Sequence, residues 1–503
     1  MNNSSKLTKE RRADLRGQLS DLGYGQAESE TPDLFSHRLY LVPEHLRALD
    51  PRVVLVVGPR GAGKSALFRA IFSIEVDLGD AIISRVPQTA STAMQFGSTT
   101  WKAAFPGGTS FPDTQALERH IDSDEQAKRI WYLMLVRCLT SEFDEAQRTT
   151  LRPLIEPGAA AIDEILSAHD SLKINPTAVL DALEERLECE GRWIFVGYDE
   201  LDTLGGFNWA LTARMVRGLV SFWSDYSRRW RRIRAKIFLR SDLFRRHAGM
   251  GTADFAKLAA NRAILDWSDS AILGMLVKRI ANTSDELASY CQGARVPFEK
   301  DETLGLVPNI QAPDVAHRLL ERMVGEYMGS DRKKGFVRNW ILDHLRDGNG
   351  DLCPRTLVRL VELAAANNAA NRTLRSPRLI HPTALRQALN GVSSDHVTQG
   401  ISSEWPWLEG VKRRLRQQQL VPWQSNDIVN LLSSDWDETW GQLRSTPVRP
   451  PEERPVDLVN YLVELGIFRR RSDGRVDVPD LYLFGLELRR KGGVKVGARR
   501  QKS

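Results

Sequence analysis

Cysteine is scarce in this chain, and the few present stand apart. Cys138, Cys189, Cys291 and Cys353 form no C-x-x-C pair. That excludes a disulfide framework or a ribbon-type metal site and predicts buried small hydrophobes instead. Long apolar runs are missing too. Ile130–Val136 is about the longest and falls far short of the roughly 20 residues a membrane span needs. The polar start, MNNSSKLTKERRADLR, lacks the apolar stretch of a secretory signal. Together these absences predict a cytoplasmic protein with no membrane partner. A hydrophobic content of 42% and a charged content of 27% exclude the disordered class. At 503 residues the chain should hold roughly three domains with sizeable cores.

What is present concentrates in one segment. Val53–Val57 is a β-branched apolar run, the composition of a buried parallel strand. Gly58, Pro59, Arg60, Gly61, Ala62, Gly63, Lys64 and Ser65 follow, matching G-x-x-x-x-G-K-[ST] at every fixed position. Leu67, Phe68, Ile71 and Phe72 then recur at helical spacing, so the loop should open a helix that packs back on the strand. Glycines let backbone N–H groups from Gly58 to Ala66 surround phosphate oxygens, and a helix N-terminus adds partial positive charge. Lys64, exposed in the empty loop, would reach the β- and γ-phosphates, and Ser65 would place its hydroxyl on Mg²⁺. The net charge of +6 permits anionic partners without demanding nucleic acid; a solvated surface and a phosphate site account for it.

A second apolar run, Trp193 to Tyr198, ends in Asp199 and Glu200. Asp199 at a strand tip suits a magnesium-holding carboxylate, and Glu200 is placed to polarise an attacking water. No N-K-x-D motif follows, which argues against guanine and favours ATP. A third strand, Lys236 to Arg240, is separated from these carboxylates by a helix expected over Trp209–Tyr226, with Leu211, Met215, Leu219 and Phe222 on one face. Arg240 should lie at a strand tip beside the loop, where a guanidinium could sense the γ-phosphate.

The phrases VVGPRGAGKSAL, VGYDELD and IFLRSD resemble the STAND and AAA+-like ATPases. That group includes NACHT, NB-ARC and KAP-type proteins and the origin-recognition ATPases. The chain looks most like a bacterial STAND/KAP-like branch found in anti-phage defence loci. The resemblance spans about residues 36–395. It implies an α/β P-loop NTPase fold of the ASCE/AAA+-like kind: a parallel sheet with the loop strand between later strands, a helical lid and a C-terminal winged helix. It also implies a second, lid-borne arginine on the γ-phosphate, which falls on Arg355 in the helix opened by Pro354. The chain departs from KAP proteins in lacking a membrane insertion, and from signalling STAND proteins in lacking an effector domain or sensor repeats.

These readings divide the chain into a polar, mobile arm with a helical patch (1–35), an ATPase domain (36–269), a helical lid (270–397), a winged-helix-like domain (398–485) and a basic tail (486–503). A helix is expected over His37–Leu49. An insertion at about 73–190 should hold a strand at Ala81–Val86, a loop at Thr89–Asp113, and helices from Gln115 to Cys189, with a partner-binding role open to it. A fifth strand is expected at Arg262–Trp267. Near the end, a helix Asp457–Leu465 stopped by Gly466 precedes a basic hairpin around Ser472, Asp473 and Gly474. The tail from Arg489 is expected to be disordered.

Two functions fit this reading. One is an ATP-hydrolysing switch, the ATPase component of a bacterial antiviral system, assembling with itself or with an effector. The other is a DNA-acting AAA+-like motor or loader using the winged helix and basic segments. The Arg228–Arg234 cluster serves either, as a trans-acting arginine or a DNA contact, or simply solvates a helix end.

Overall fold

The structure, a computed structural model, describes residues 7–24, 30–73, 76, 78, 82, 98–106, 111–158, 162–171, 176–206, 208–248, 253–310, 313–401, 405–434, 436 and 449–491. The chain divides into two units: Gly25–Asp266 with Lys300–Val307, and Met1–Tyr24 with Trp267–Glu299 and Pro308–Ser503.

The first unit is built on five strands: β1 Leu55–Gly58, β2 Thr99–Phe105, β3 Trp193–Tyr198, β4 Ile233–Arg240 and β5 Ala263–Ile264. Their order is β2-β3-β4-β1-β5, and every pairing is parallel. The α/β P-loop fold is therefore the observed one, with the loop strand between β4 and β5. Apolar residues run unbroken along β1 and β3 because both faces are covered, and the buried Lys236 of β4 is accommodated by donating to the carbonyls of Asp50 and Val53. Ile194, Val196, Tyr198, Ala235, Ile237 and Leu239 point into one core, with Trp131 and Trp223 from the helices Asp124–Cys138 and Trp209–Tyr226. Phe195, Phe238 and Val56 point into the other, against Leu67 and Ile71 of the helix Lys64–Phe72. Gly197 in β3 lets that second helix close in: a Cβ there would sit 2.7 Å from the Phe68 ring and 2.8 Å from that of Phe72.

Several expectations need correction. The stretch read as a loop over Thr89–Asp113 contains β2, the edge strand. Its Trp101 stacks on Phe195 at 4.6 Å between ring centroids. Flanking Gly, Ser and Thr, and the weak strand formers Lys102, Ala103 and Ala104 within it, hid the run TTWKAAF. The supposed insertion is thus largely sheet edge and core, since Trp131, Leu133 and Leu135 are buried. The strand expected at Ala81–Val86 lies outside the described residues. The helix expected over His37–Leu49 is two short ones, Pro32–Arg38 and Pro43–Arg47, because Pro43 starts a new helix better than it continues one. Cys189 is exposed, not a core residue, whereas burial pushes the thiols of Cys138 and Cys291 up to about 12.

In the second unit the helical patch expected in the arm is found as the helix Lys9–Leu19, and it is packed and not mobile, with Leu15, Leu19 and, just beyond it, Leu22 buried. Arg279 fixes the turn that follows by donating to the carbonyls of Leu22 (2.8 Å) and Gly23 (2.7 Å). Polar composition concealed this because only one narrow side of the helix is apolar. The segment 270–397 is mostly helical; the paired strands Phe298–Asp301 and Gly305–Pro308 that interrupt it lie largely within Lys300–Val307, which belongs to the first unit. No boundary between units falls at 397/398. The Asp347–Gly350 turn is bonded to the C-terminal helix end, Gly348 N–H donating to Gly466 O at 2.6 Å and Asn349 Nδ2 to Glu464 O at 3.1 Å. The helix Pro455–Glu464 and the antiparallel pair Arg469–Arg470 with Val476–Asp477 form the expected helix and hairpin. Residues 486–491 are not tail: Leu486 and Leu488 are buried, and Arg489–Arg490 pairs with Leu420–Val421. No described helix is long and apolar enough to cross a membrane.

Candidate functional site

Parallel sheets leave their ligand crevice beyond the carboxyl ends of the strands. Here that edge gathers Gly58–Ser65 after β1, Asp199–Asp202 after β3, and Arg240–Asp242 at the end of β4. Gly58 and Arg240 are ladder partners, so the loop's first residue and the arginine sit on adjacent strands. The turn itself needs glycine, with φ of 74° at Gly61 and 95° at Gly63, the residue that caps the helix Lys64–Phe72.

Lys64 is not freely exposed, contrary to the expectation. Its ammonium folds back to donate to the carbonyls of Gly58 (3.0 Å) and Pro59 (2.8 Å). A cation on a short polar loop finds the nearest acceptors when no other anion is offered. Burial, reinforced by the Arg240 charge and opposed by Asp199, Asp202 and Asp242, lowers its pKa from 10.5 to about 8. Asp199 is buried, which holds its carboxyl above the usual range; the Ser65 hydroxyl, which hydrogen-bonds to it, and Lys64 pull the other way. Hydroxyl and buried carboxylate form a pair of hard oxygen donors beside the loop. Mg²⁺ commonly takes one or two carboxylates together with phosphate oxygens, so these residues fit it.

Glu200 is exposed, and its backbone adopts φ 53°, in the left-handed region that non-glycine residues seldom occupy. The kink turns the chain sharply after β3, and the two carboxylates differ in exposure, Asp199 buried and Glu200 open to solvent. Arg240 is 8% exposed and tightly held: Nε and Nη2 donate to the two oxygens of Asp242 at 3.1 Å each, and Nη1 to Asp202 at 2.8 Å. Burial raises the Asp242 pKa, and the Arg240 charge and hydrogen bonds, with a backbone N–H and Lys64, together outweigh it, leaving the carboxyl below its ordinary value. Asp202 and Asp242 had no role in the sequence reading. An aspartate two residues past a strand-tip arginine was the available sign, and it is weak without the fold.

Arg355 belongs to the other unit, exposed in the first turn of the helix Pro354–Ala366. The cluster Arg228–Arg234 precedes and opens β4, at the end opposite Arg240 and roughly 20 Å from it at ~3.3 Å per residue. It is no single patch. Arg229 pairs with Asp181, Arg232 lies over the Trp193 ring at 4.7 Å, and Trp230 is buried. Three arginines of the wing region converge on one carboxylate: Asp477, fully buried, faces Arg469 (3.0 Å), Arg471 (3.5 Å) and Arg490 (2.6 Å).

No protein-family model and no curated protein matches the chain. Among solved structures it is similar to a Walker-type ATPase of Pyrococcus abyssi, with 14% identity, 89% of this chain and 95% of that one covered, and a TM-score of 0.33. It is similar also to the ORC2 protein of Aeropyrum pernix in ADPNP–ADP complexes, with 14% identity, coverage of 93% and 96%, and a TM-score of 0.35. Cdc6p of Pyrobaculum aerophilum follows at 11% identity, 86% coverage of each chain and a TM-score of 0.27. Likenesses this distant say nothing of function.

Proposed function

We propose that the chain binds Mg·ATP at the loop Gly58–Ser65 and hydrolyses it as a molecular switch. The observation that carries this is the meeting of Lys64, Ser65 and Asp199 at the strand tips, the Ser65 hydroxyl already bonded to the Asp199 carboxylate. Lys64 would leave the two loop carbonyls for the β- and γ-phosphates. Ser65 and Asp199 would hold Mg²⁺, which when bound neutralises phosphate charge. Glu200, exposed and set apart from Asp199 by its backbone kink, would accept a proton from the attacking water. Arg240 would meet the γ-phosphate from β4, and Arg355 would reach it from the lid, making lid position depend on the nucleotide.

The biological setting we propose is the ATPase component of a bacterial antiviral system, acting with further copies or an effector protein. The resemblance of its three motifs to STAND/KAP-like ATPases supports that setting. The DNA-motor alternative rests on fewer arginines than the sequence offers, because Arg469, Arg471 and Arg490 face the buried Asp477. The test is Mg²⁺-dependent ATP turnover by the wild-type chain and by Glu200→Gln. The variant should bind ATP normally and turn it over about a hundredfold more slowly or worse. Equal turnover by the two would remove Glu200 from the reaction. For the setting, cells carrying the gene with its neighbours should resist phage, and cells carrying Lys64→Ala should not.

A further inference from the structure

We infer that Asp202 is a latch on Arg240, displaced by the terminal phosphate of a nucleoside triphosphate, and that Asp242 is the positioning residue that keeps the guanidinium aimed. The inference rests on the nucleotide site proposed above and adds how that site tells a triphosphate from a diphosphate.

The two carboxylates hold Arg240 differently. Asp242 takes Nε and Nη2 in a two-bond fork, its side chain only 10% exposed and carried by the next turn of the same chain. Two parallel bonds fix a guanidinium plane, not merely its position. Asp202 takes Nη1 alone, and its side chain is 30% exposed. The single bond to the better solvated carboxylate is the weaker tie. A phosphate oxygen brings the same charge and can replace that bond without disturbing the fork. Arg240 is within reach of such an oxygen because its strand partner is Gly58, the first residue of the loop. Asp202 and Arg240 both act electrostatically on Lys64, so all three share one crevice.

Asp202 is also tied to Glu200. It sits on the turn Leu201–Thr203, which hangs from Glu200 O through the Thr203 N–H (2.9 Å) and hydroxyl (2.8 Å). Drawing Asp202 off Arg240 therefore pulls on the peptide of Glu200, already in the left-handed region. A triphosphate opens the latch and resets Glu200 in one event. A diphosphate, lacking the terminal group, leaves the latch shut.

The experiment compares affinities for ADP and for a non-hydrolysable ATP analogue, with Mg²⁺, in the wild type and in Asp202→Asn, Asp202→Ala and Asp242→Asn. Removing the latch charge should raise the preference for the triphosphate about three- to fivefold, the weight of one partly exposed ion pair. Asp242→Asn should keep ADP affinity and lose the preference, and Asp242→Glu should restore part of it. Asp202→Asn preserves side-chain volume, so a folding failure of the alanine variant leaves the test intact. An unchanged or lowered preference in folded Asp202 variants overturns the latch while leaving the nucleotide site standing. If the wild type binds neither nucleotide, the site itself is wrong and the latch falls with it.

Discussion

At the wing, one buried carboxylate, Asp477, is shared by Arg469, Arg471 and Arg490; at the sheet tips, one buried arginine, Arg240, is shared by Asp202 and Asp242. The inverted ratio changes what each cluster can do. None of these three arginines can turn to an outside phosphate without weakening the compensation of a fully buried charge, and uncompensated buried charge is costly. Arg240 can give up one carboxylate and remain paired with the other. The first cluster holds a hairpin together, whereas the second leaves one bond to exchange. Basic residues counted along a sequence cannot show this difference, because it lies in their partners.

The largest effect should come from the sheet tips. Lys64→Ala removes the one cation that the loop folds back on itself, and ATP turnover should fall by about two to three orders of magnitude. Its far-ultraviolet circular dichroism should match the wild type, since Lys64 contributes charge more than packing. A folded Lys64→Ala protein with wild-type turnover would erase the functional half of the comparison.

Asp477→Ala addresses the other half. Stability should drop by about 2–3 kcal/mol, the low side of the range for breaking a buried pair, because the three arginines stay partly solvated. Denaturant unfolding reads the loss, and turnover per folded molecule should be unchanged. A stability loss absent from Asp477→Ala would mean that the wing cluster is not structural.

A smaller effect is expected from pH. The Lys64 pKa is depressed from 10.5 to about 8 in the folded loop. Below about pH 8 the amine is charged in both folded and unfolded chains, and the full cost of burying it is felt. As pH rises from about 8 towards 10.5 the unfolded chain binds more protons, so the nucleotide-free protein should gain stability in that window. Nucleotide binding needs the charged amine, so ATP affinity should decline over the same range, with proton uptake on binding visible by calorimetry in buffers of different ionisation enthalpy. Lys64→Met should flatten both trends.

The smallest effect is expected at the wing surface. Binding to duplex DNA should show a shallow salt dependence, a log–log slope no steeper than about −2, because Arg469, Arg471 and Arg490 are drawn to Asp477 and Arg475 to Asp473, which leaves Arg470, held by the neutral Asn460 and Ser425, as the main arginine to offer a phosphate. A steep slope that flattens in Arg470→Gln would restore the DNA-acting reading.

Much was legible from residues alone where chemistry is local. The loop motif requires consecutive residues with particular backbone freedom, and the helix Trp209–Tyr226 announces itself by a repeat of buried positions, Leu211, Met215, Leu219 and Phe222. Asp199 and Arg240 could be placed at strand tips because each closes an apolar run. Packing set the rest. The strand Thr99–Phe105 acquires its identity from Trp193–Tyr198 beside it, and the helix Lys9–Leu19 from the carbonyl of Leu374 and the arginine of residue 279.

The sequence by itself determined that a loop of the G-x-x-x-x-G-K-[ST] pattern, a carboxylate pair and a strand-end arginine exist in this chain, since each is written in contiguous residues whose backbone and charge requirements are local. Only the tertiary structure decided that Lys64 rests on its own loop, that Arg240 divides its bonds between Asp202 and Asp242, and that Arg469, Arg471 and Arg490 converge on Asp477. The physical reason is that the strength and availability of a charge depend on its distance to partners and its exposure to water, and folding sets both across residues far apart in the chain.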